Sequence, residues 1–382
     1  MFTPYVMIEN GPLGQPALFA EPVGEIIAYT PDQVPAAFAA MEAAQSAGHW
    51  LAGYASYELG YALEPTLAPL FRKGRLPLLH FGVFEGPDVL GAGRFQAQAA
   101  GETYSAGLSE LKLHWDQARY AAAFDEVMAH IQAGDFYQAN LTMPISMRMH
   151  GTAAGLYGAL AAQQVVGHGA FVEMGDVRLL SRSPELFFNI DGDRNVETMP
   201  MKGTAPRGAT VAEDEALAAA LAVDVKNRAE NLMIVDLLRN DLARVSEVGS
   251  VWVPDLFQVQ SYATVHQMVS RITSRLRVDV SVRDLFEGLF PCGSITGAPK
   301  IAAMQAIRRL EAGPRDAYCG AIGWMAPDGR ARFNVAIRTL CLYADDEVVL
   351  NVGGGVVADS RADAEYEEAL WKARFATCLL TD

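Results

Sequence analysis

The sequence lacks the features that mark membrane-spanning, repetitive and metal-finger proteins. It has no internal repeat, no low-complexity linker and no apolar run long enough to span a bilayer. Its start, Met1-Phe2-Thr3-Pro4-Tyr5, lacks the basic-then-apolar order of a signal peptide. No two cysteines have C-x-x-C spacing; they are Cys292, Cys319, Cys341 and Cys378. We therefore expect a globular cytoplasmic protein without membrane attachment, whose cysteines are reduced and lie in the core or in a pocket.

Positive charge is also scarce. The 382 residues include 30 Lys and Arg against 45 Asp and Glu, which gives a formal net charge of -15, and 51% of the residues are hydrophobic. This acidity argues against binding to nucleic acid or to an anionic membrane through a general electrostatic field. An acidic protein that handles an anionic substrate must supply positive charge locally, from arginines, a metal ion or a helix N-terminus.

Hydrophobic periodicity divides the chain into strands and helices. The first hundred or so residues mix short apolar segments with Gly and Pro, as in 50–58, and this pattern predicts strands and turns. Further strands are predicted over 135–149, 177–190, 264–276 and 320–351, and helices over 115–134, 212–245 with a break near 223–224, 298–311 and 362–380.

The order of these elements indicates the fold class. Strands and helices follow one another without a regular βαβ rhythm, and no Gly-x-Gly-x-x-Gly fingerprint is present. An α+β fold with mostly antiparallel sheets therefore fits better than a doubly wound one. We expect a strand-rich N-terminal portion over 1–115, packed onto a core over 116–382 that carries the chemistry, the two forming one structural unit.

A lysine and a glutamate close in sequence form a candidate catalytic pair. Lys202 lies in the segment PMKGTAPRG (200–208), beside a Gly203-Thr204 turn, and Glu185 ends an SPE segment just upstream. An amine that attacks and a carboxyl that protonates a leaving group are suited to covalent catalysis. Lysines beside glycines are common, so the pair gains weight only from the motifs that follow it.

Acidic residues on two predicted helices are candidate ligands for Mg²⁺. Glu365, Glu368 and Lys372 are spaced by one helical turn and fall on one face of the last helix. Glu230 lies at the edge of a buried helical segment. Hard carboxylate oxygens suit Mg²⁺. The alternative is a solvated surface with i,i+4 ion pairs, Glu368 with Lys372 and Glu230 with Lys226.

The Gly-rich segment 291–300 predicts a turn that runs into a helix. Thr296 is expected near the N-cap and Pro299 in the first turn, which leaves backbone N–H groups free to receive an anion. Lys300 lies inside the helix and no Gly-Lys-Ser/Thr is present, so the segment is not a Walker motif. A well-capped helix without a ligand is the alternative.

Three positions near the C-terminal strands are candidate substrate contacts. Arg338 interrupts an apolar strand-like segment, where an arginine needs a carboxylate, either a structural partner or a ligand. Tyr318 precedes the neighbouring strand. The glycines 353–355 allow the backbone to approach a small molecule or to form a bulge.

Together, these motifs closely resemble the chorismate-utilising enzyme family. That family includes component I of aminodeoxychorismate synthase, component I of anthranilate synthase, and the isochorismate and salicylate synthases. The resemblance runs in co-linear order over 121–375, through GDFYQANLT (134–142), SPE (183–185), KGT (202–204), RND (239–241), GSITGAPK (293–300) and the final helix. It implies an anthranilate synthase component I-like fold, with two mostly antiparallel β-sheets packed as a sandwich and helices around them.

The resemblance implies a role for each candidate residue. In this family Mg²⁺ holds the ring carboxylate of chorismate, which would make Glu230 and Glu368 direct ligands and Glu365 a partner acting through water. Asn227 stands where relatives often have a further acid. The implied substrate contacts are Arg338 and Tyr318 at the enolpyruvyl carboxylate, Lys372 near the metal-bound carboxylate, and the backbone of Gly203, Thr204 and Gly354.

Two positions sort the members of the family. Glu185 matches the general acid that protonates the departing 4-hydroxyl, a role that every member needs. Gln138 stands where isochorismate and salicylate synthases have a lysine that activates water, and a neutral amide cannot serve as that base, so Gln138 is expected to contact the substrate instead. Lys202 matches a lysine typical of component I of aminodeoxychorismate synthase, whereas anthranilate synthases usually have a small residue there.

The reaction implied by the resemblance converts chorismate and ammonia to 4-amino-4-deoxychorismate, for 4-aminobenzoate and folate synthesis. Lys202 would attack C2 while Glu185 protonates the 4-hydroxyl, and ammonia would then add at C4 and expel the lysine. No cysteine lies in a Gly-x-Cys-x-Gly elbow, so a separate glutamine amidotransferase subunit or free ammonium would supply the ammonia. The alternatives are an anthranilate synthase component I with an atypical lysine, and a chorismate-binding regulatory protein without catalytic activity.

Overall fold

The computed structural model describes residues 4–262 and 265–381. Its strands are β1 (Tyr5–Ile8), β2 (Ala17–Ala20), β3 (Gly24–Ala28), β4 (Trp50–Ala55), β5 (Leu79–Phe84), β6 (Gly107–Leu113), β7 (Gln138–His150), β8 (His168–Met174), β9 (Val177–Ser183), β10 (Leu186–Ile190), β11 (Asn195–Met199), β12 (Met201–Pro206), β13 (Trp252–Ser261), β14 (Val265–Arg275), β15 (Gly297–Ala298), β16 (Ala321–Met325), β17 (Ala331–Val335), β18 (Thr339–Leu342) and β19 (Glu347–Val356). Its helices are α1 (Val34–Ser46), α2 (Leu59–Leu63), α3 (Val89–Gly101), α4 (Gln117–Ala133), α5 (Ala153–Gln163), α6 (Val211–Val223), α7 (Val225–Ala243), α8 (Val282–Leu289), α9 (Lys300–Leu310) and α10 (Ala362–Thr377).

Within the described residues, the strands form two antiparallel sheets. The first has the order β15-β7-β19-β18-β9-β8-β1-β2, with β6 also paired to β7. The second has the order β12-β14-β11-β10-β17-β16-β4-β5-β3, with β13 also paired to β14. The long pairing of β19 with β7 sets Gly354 opposite Leu141. The strand that carries Lys202, β12, lies at one end of the second sheet's main path.

The two sheets pack face to face, and helices cover their outer faces. Alternate residues of a strand point to opposite faces, so Val172 of β8 and Tyr54 of β4 lie in an apolar cluster between the sheets. Their neighbours Phe171 and Ala55 pack outward, with α3, α4, α5, α9 and α10 on the first sheet and α1, α2, α7 and α8 on the second. Each large buried apolar side chain stabilises the fold by about 1.5–3 kcal/mol relative to exposure. The predicted α+β fold with two antiparallel sheets surrounded by helices is confirmed.

The N-terminal portion contributes strands to both sheets, since β1 pairs with β8 and β4 pairs with β16. The prediction that it contains only strands and turns is wrong, because α1 and α3 each span 13 residues. In α1, the buried side chains of Val34, Phe38 and Met41 recur at helical spacing. The Pro and Gly that flank the helix obscured this period.

Most of the later elements follow the predicted pattern. The break predicted near 223–224 separates α6 from α7, and the Asp224 side chain caps α7 by accepting the Asn227 N–H at 2.7 Å. The strand predicted over 264–276 is observed as β14 from Val265 onward, whereas Thr264 lies outside the described residues. The sequence pattern did not predict α5, α8 or β13.

The structure also bears on the cysteines and on membrane attachment. All four cysteines are free, and Cys292, Cys319 and Cys341 are buried as expected. Cys378 is exposed instead, because it lies at the C-terminal end of α10 where the chain leaves the core. Across the described residues, every helix is too short or too polar to span a bilayer.

Candidate active site

Lys202 lies at an irregularity in β12. The register of β12 against β14 shifts between Met201 and Thr204, so Lys202 and Gly203 form a bulge, a feature that re-aims side chains at the edge of a sheet. Gly203 has a φ of +95°, and a Cβ there would come within 2.9 Å of the Asn227 Oδ1. Glycine is therefore required at this position, whereas the adjacent Thr204 is exposed.

The electrostatic surroundings of Lys202 favour its neutral amine. Burial and the nearby ammonium of Lys372 lower the pKa of Lys202. Three carboxyl groups act in the opposite direction: Glu230, Glu185 and Glu368. None of the carboxylates in the described residues reaches ion-pair distance from the Lys202 Nζ, so none holds its proton directly. Four other predicted site residues therefore lie close enough to Lys202 to affect its pKa: Lys372, Glu230, Glu185 and Glu368.

Glu185 is a buried acid. Its side chain lies between the end of β9 and the start of β10, and its C=O accepts the Val335 N–H at 3.1 Å. Burial raises the pKa of Glu185 to about 7, although a hydrogen bond from the Ser294 Oγ at 2.6 Å and the charges of Lys202 and Arg338 oppose that shift. Glu185 can therefore hold a proton near neutral pH, as a general acid must.

The segment around Ser294 differs from the prediction. The helix begins at Lys300 with Pro299 as its N-cap residue, and the Thr296 hydroxyl donates to the Cys292 C=O at 2.9 Å instead of capping the helix. The short strand β15 intervenes and pairs with the start of β7. Sequence reasoning assigned no role to Ser294, because nothing in the local pattern shows that its hydroxyl reaches Glu185.

The predicted acidic face of α10 converges on a glycine. A Cβ on Gly354 would lie 3.0 Å from the Glu365 Oε2, 3.4 Å from the Lys372 Nζ and 4.0 Å from the Glu368 Oε1. The Lys372 Nζ lies 2.8 Å from the Glu368 Oε1 and donates to the Gly353 C=O at 2.9 Å. The absence of a side chain at Gly354 therefore leaves a charged recess between β19 and α10.

Glu230 of α7 faces the same region. Burial raises the pKa of Glu230, and the negative charge of Glu365 adds to that shift. As placed, each candidate ligand contacts another protein group: Glu230 lies 4.0 Å from the Lys226 Nζ, and Glu365 accepts a hydrogen bond from the Ser360 Oγ at 2.7 Å. No cluster of three or more potential metal ligands occurs in the described part of the chain. The carboxylate oxygens of Glu230, Glu365 and Glu368 are hard donors of the kind that Mg²⁺ prefers.

Gln138 has unmatched hydrogen-bonding groups. Its side chain is fully buried at the start of β7, and neither its amide oxygen nor its amide nitrogen has a partner in the described residues. A Cβ on Gly355 would lie within 2.9 Å of the Gln138 amide carbon. Buried polar atoms without partners are rare and are commonly satisfied by a ligand or water.

The predicted substrate contacts Arg338 and Tyr318 form no hydrogen bond with each other in the described residues. Arg338 lies in the break between β17 and β18 with a φ of +50°, and burial lowers its pKa, an effect that Glu185 opposes. Tyr318 is buried in the apolar cluster that also contains Phe333 and Val335. Its neighbour Cys319 donates its N–H to the Ala336 C=O at 3.0 Å, which links the two segments through the backbone.

These features place a partly buried lysine, a buried acid with a raised pKa and a carboxylate recess within one fold, and the chain matches the chorismate binding enzymes over residues 3–377. The chain belongs to that family. The family predicted from the motifs is thereby confirmed.

Individual proteins of known name are similar to large parts of this chain. The chain is 45% identical over 263 residues to aminodeoxychorismate synthase of Streptomyces griseus, covering 69% of this chain and 36% of that protein. It is 40% identical over 268 residues to aminodeoxychorismate synthase component 1 of Escherichia coli K12, covering 69% and 58%. The chain therefore spans about a third to three-fifths of the length of these curated relatives. The crystal structure of anthranilate synthase component I from Streptococcus pneumoniae superposes with a TM-score of 0.73 at 26% identity, covering 86% of this chain and 80% of that one.

Proposed function

We propose that this chain has the activity of component I of aminodeoxychorismate synthase and forms 4-amino-4-deoxychorismate from chorismate and ammonia. The observation that carries the proposal is the pair of opposite pKa shifts at Lys202 and Glu185. Both shifts favour neutral forms, an amine that can attack and a carboxylic acid that can donate a proton. Similarity to two curated aminodeoxychorismate synthases supports the proposal.

The proposed reaction has two displacement steps. The Lys202 Nζ attacks C2 of chorismate, the ring double bond shifts, and the C4–O bond breaks while Glu185 donates its proton, so that the 4-hydroxyl leaves as water. The alkylated ammonium of Lys202 returns a proton to the Glu185 carboxylate. Ammonia then adds at C4, the double bond shifts back, and the C2–N bond to Lys202 breaks as the leaving nitrogen takes up the proton that the added ammonia gives up. The lysine is regenerated, and the net reaction exchanges the 4-hydroxyl for an amino group.

The substrate is proposed to bind through its two carboxylates. Arg338 would hold the enolpyruvyl carboxylate, with Tyr318 as a second proposed contact, and Lys372 would lie near the ring carboxylate. The unpaired Gln138 amide supports a polar contact to the substrate. The backbone at Gly203, Thr204 and Gly354 would approach the ring, and the two glycines place no side chain in its way.

We also propose Mg²⁺ as the cofactor. Glu230 and Glu368 would bind it directly, and Glu365 would act through water. When bound, the ion would neutralise the ring carboxylate and draw electron density from the ring, which favours attack at C2. The recess at Gly354 and the influence of the Glu365 charge on the pKa of Glu230 support this assignment.

Ammonia is proposed to come from a glutamine amidotransferase subunit, with free ammonium as a substitute. The Escherichia coli relative is component 1 of its synthase, which implies a second component. The sequence also contains no Gly-x-Cys-x-Gly elbow of the kind that a glutaminase uses. The product would serve 4-aminobenzoate and folate synthesis in the cytoplasm.

Anthranilate synthase component I is the second candidate, because a solved structure with that name is similar over 86% of this chain. Product analysis separates the two candidates. We expect purified protein with chorismate, Mg²⁺ and ammonium to form an amino product that keeps its enolpyruvyl group and yields 4-aminobenzoate when a lyase is added. Fluorescent anthranilate would identify the second candidate, and unchanged chorismate with saturating ammonium would contradict both.

The Ser294 hydroxyl is expected to set the pH range of the reaction. Because Glu185 must be protonated, its contribution is present below its pKa of about 7 and is lost as the pH rises through that value. The hydrogen bond from Ser294 favours the carboxylate, so Ser294→Ala should raise the pKa of Glu185. We expect the alkaline limb of kcat/KM to move up by roughly one pH unit.

The matched control for this prediction is Ser294→Thr, which keeps the hydroxyl. Its alkaline limb should stay within a few tenths of a pH unit of the wild type. An alkaline limb that does not move in Ser294→Ala, or that moves to lower pH, would contradict the assignment of that limb to Glu185.

A further inference from the structure

Arg338 is oriented by a neutral group and not by a carboxylate. Its Nη1 donates to the Gln164 Oε1 at 3.0 Å, and its C=O accepts the Arg182 N–H at 2.9 Å. In the described residues, no carboxylate lies within ion-pair distance of Arg338. This is unusual, since a partly buried arginine is ordinarily paired with an acid. Among the described residues, no carboxylate therefore neutralises the positive charge of Arg338 by a direct ion pair.

The backbone of Gln164 is held in place by a network of buried hydrogen bonds. It follows the last residue of α5, where its N–H donates to the Leu160 C=O at 3.3 Å and its C=O accepts the Arg182 Nη2 at 2.8 Å. Arg182 is buried and forms an ion pair with Glu9 and a hydrogen bond with the Tyr157 hydroxyl at 3.1 Å. The Tyr157 hydroxyl in turn donates to the Glu9 Oε1 at 2.7 Å. The backbone of Gln164 is therefore fixed on both sides.

We infer that Gln164 is a positioning residue, which sets the plane of the Arg338 guanidinium for a substrate carboxylate while leaving its charge available. The inference rests on the proposed function. An arginine has five N–H donors, and Gln164 occupies one of them. The remaining donors can then form the paired hydrogen bonds that a carboxylate accepts. An acid in place of the amide would also orient Arg338, but it would compete with the substrate for the same charge.

Two substitutions at one position separate orientation from charge. In Gln164→Ala the orienting acceptor is lost, and we expect the KM for chorismate to rise about tenfold, with kcat within about threefold of the wild type. In Gln164→Glu the acceptor and the size are kept, but the introduced carboxylate neutralises Arg338. We expect the KM of this variant to rise more than that of Gln164→Ala. A purely structural role predicts the reverse order, with Gln164→Glu close to the wild type.

The control is Gln163→Ala, because Gln163 is the exposed last residue of α5 and makes no side-chain hydrogen bond in the described structure. Its KM should equal that of the wild type. Chorismate binding is measured by titration calorimetry alongside turnover, with the thermal midpoint as a check on folding. If Gln164→Ala does not fold, the ratio of KM values between Gln164→Glu and the wild type still tests the positioning role, because a purely structural role predicts a ratio close to one.

The outcomes distinguish this inference from the proposed function. Wild-type protein that converts chorismate, together with unchanged KM and binding in both Gln164 variants, would overturn the positioning role and leave the function intact. Wild-type protein that binds chorismate without converting it would contradict the proposed function, while the order of the variants' dissociation constants would still test Gln164. Wild-type protein that neither binds nor converts chorismate would overturn both.

Discussion

Lys202→Ala is expected to lose at least about 100-fold in ammonia-dependent turnover while binding chorismate within a few-fold of the wild type. The lysine lies at a bulge where burial lowers its pKa, and its loss removes the group proposed to form the C2–N bond. Substrate binding is assigned to other groups, chiefly Arg338 and Lys372, and should therefore survive. Turnover is measured with saturating ammonium and chorismate, and binding by titration calorimetry.

The covalent step has a direct readout. Mass spectrometry of the intact wild type, mixed with chorismate in the absence of ammonia, should show an added mass of one chorismate less one water. Proteolytic digestion should then place the adduct on the peptide that contains Lys202. The adduct should be absent from Lys202→Ala. Lys112→Ala is the matched control, because Lys112 is exposed on β6. Full activity of Lys202→Ala, or an unchanged adduct on it, would refute the covalent role.

The local parts of the site could be predicted from the sequence. The spacing of Glu365, Glu368 and Lys372 predicts one helical face, and the structure has all three side chains around Gly354. The alternative ion pair, between Glu368 and Lys372, follows from the same spacing and is also observed, at 2.8 Å. Contacts between residues one helical turn apart depend only on helix geometry, so their prediction needs no knowledge of the fold.

The contacts that tune the site could not be predicted in this way. Ser294 reaches Glu185 across 109 positions of sequence, and Gln164 reaches Arg338 across 174. The bulge at Lys202 depends on the register of β12 against β14, which lies some sixty residues further along the chain. Such contacts follow from how the fold brings distant segments together, and periodicity within one segment carries no information about that arrangement.

The N-terminal helices α1 and α3 were not predicted from the sequence for a different reason. In α3 the capping signal is present, since the Asp88 side chain accepts the Gly91 N–H at 2.8 Å. Two glycines inside the helix, Gly91 and Gly93, lower its intrinsic helix propensity. Packing of Phe95 and Ala99 against the first sheet overrides that propensity. Tertiary contacts, which single-sequence patterns do not include, decide this element.

Glu368→Gln is expected to abolish the Mg²⁺ dependence together with the activity. The amide keeps the size of the side chain but removes the negative charge that a hard cation requires. Although partial burial favours the neutral acid, the ammonium of Lys372 lowers the pKa of Glu368, whose side chain is half exposed, so the wild-type side chain is available as a carboxylate. Mg²⁺ affinity, measured by calorimetry in the absence of chorismate, should fall at least about tenfold. Glu367→Gln is the matched control, because Glu367 is the exposed neighbour on α10.

Loss of activity alone would not identify the ligand, because Glu368 also forms the ion pair with Lys372. A Lys372→Met variant breaks that pair from the other side. If Glu368 binds the metal, Lys372→Met should weaken chorismate binding but keep Mg²⁺ affinity within a few-fold, since removing a nearby ammonium does not take away a carboxylate oxygen. If Glu368 serves only to hold Lys372, both variants should lose chorismate affinity equally and leave Mg²⁺ affinity unchanged. The second pattern would remove Glu368 from the ligand set and leave Glu230 as the acid to test next.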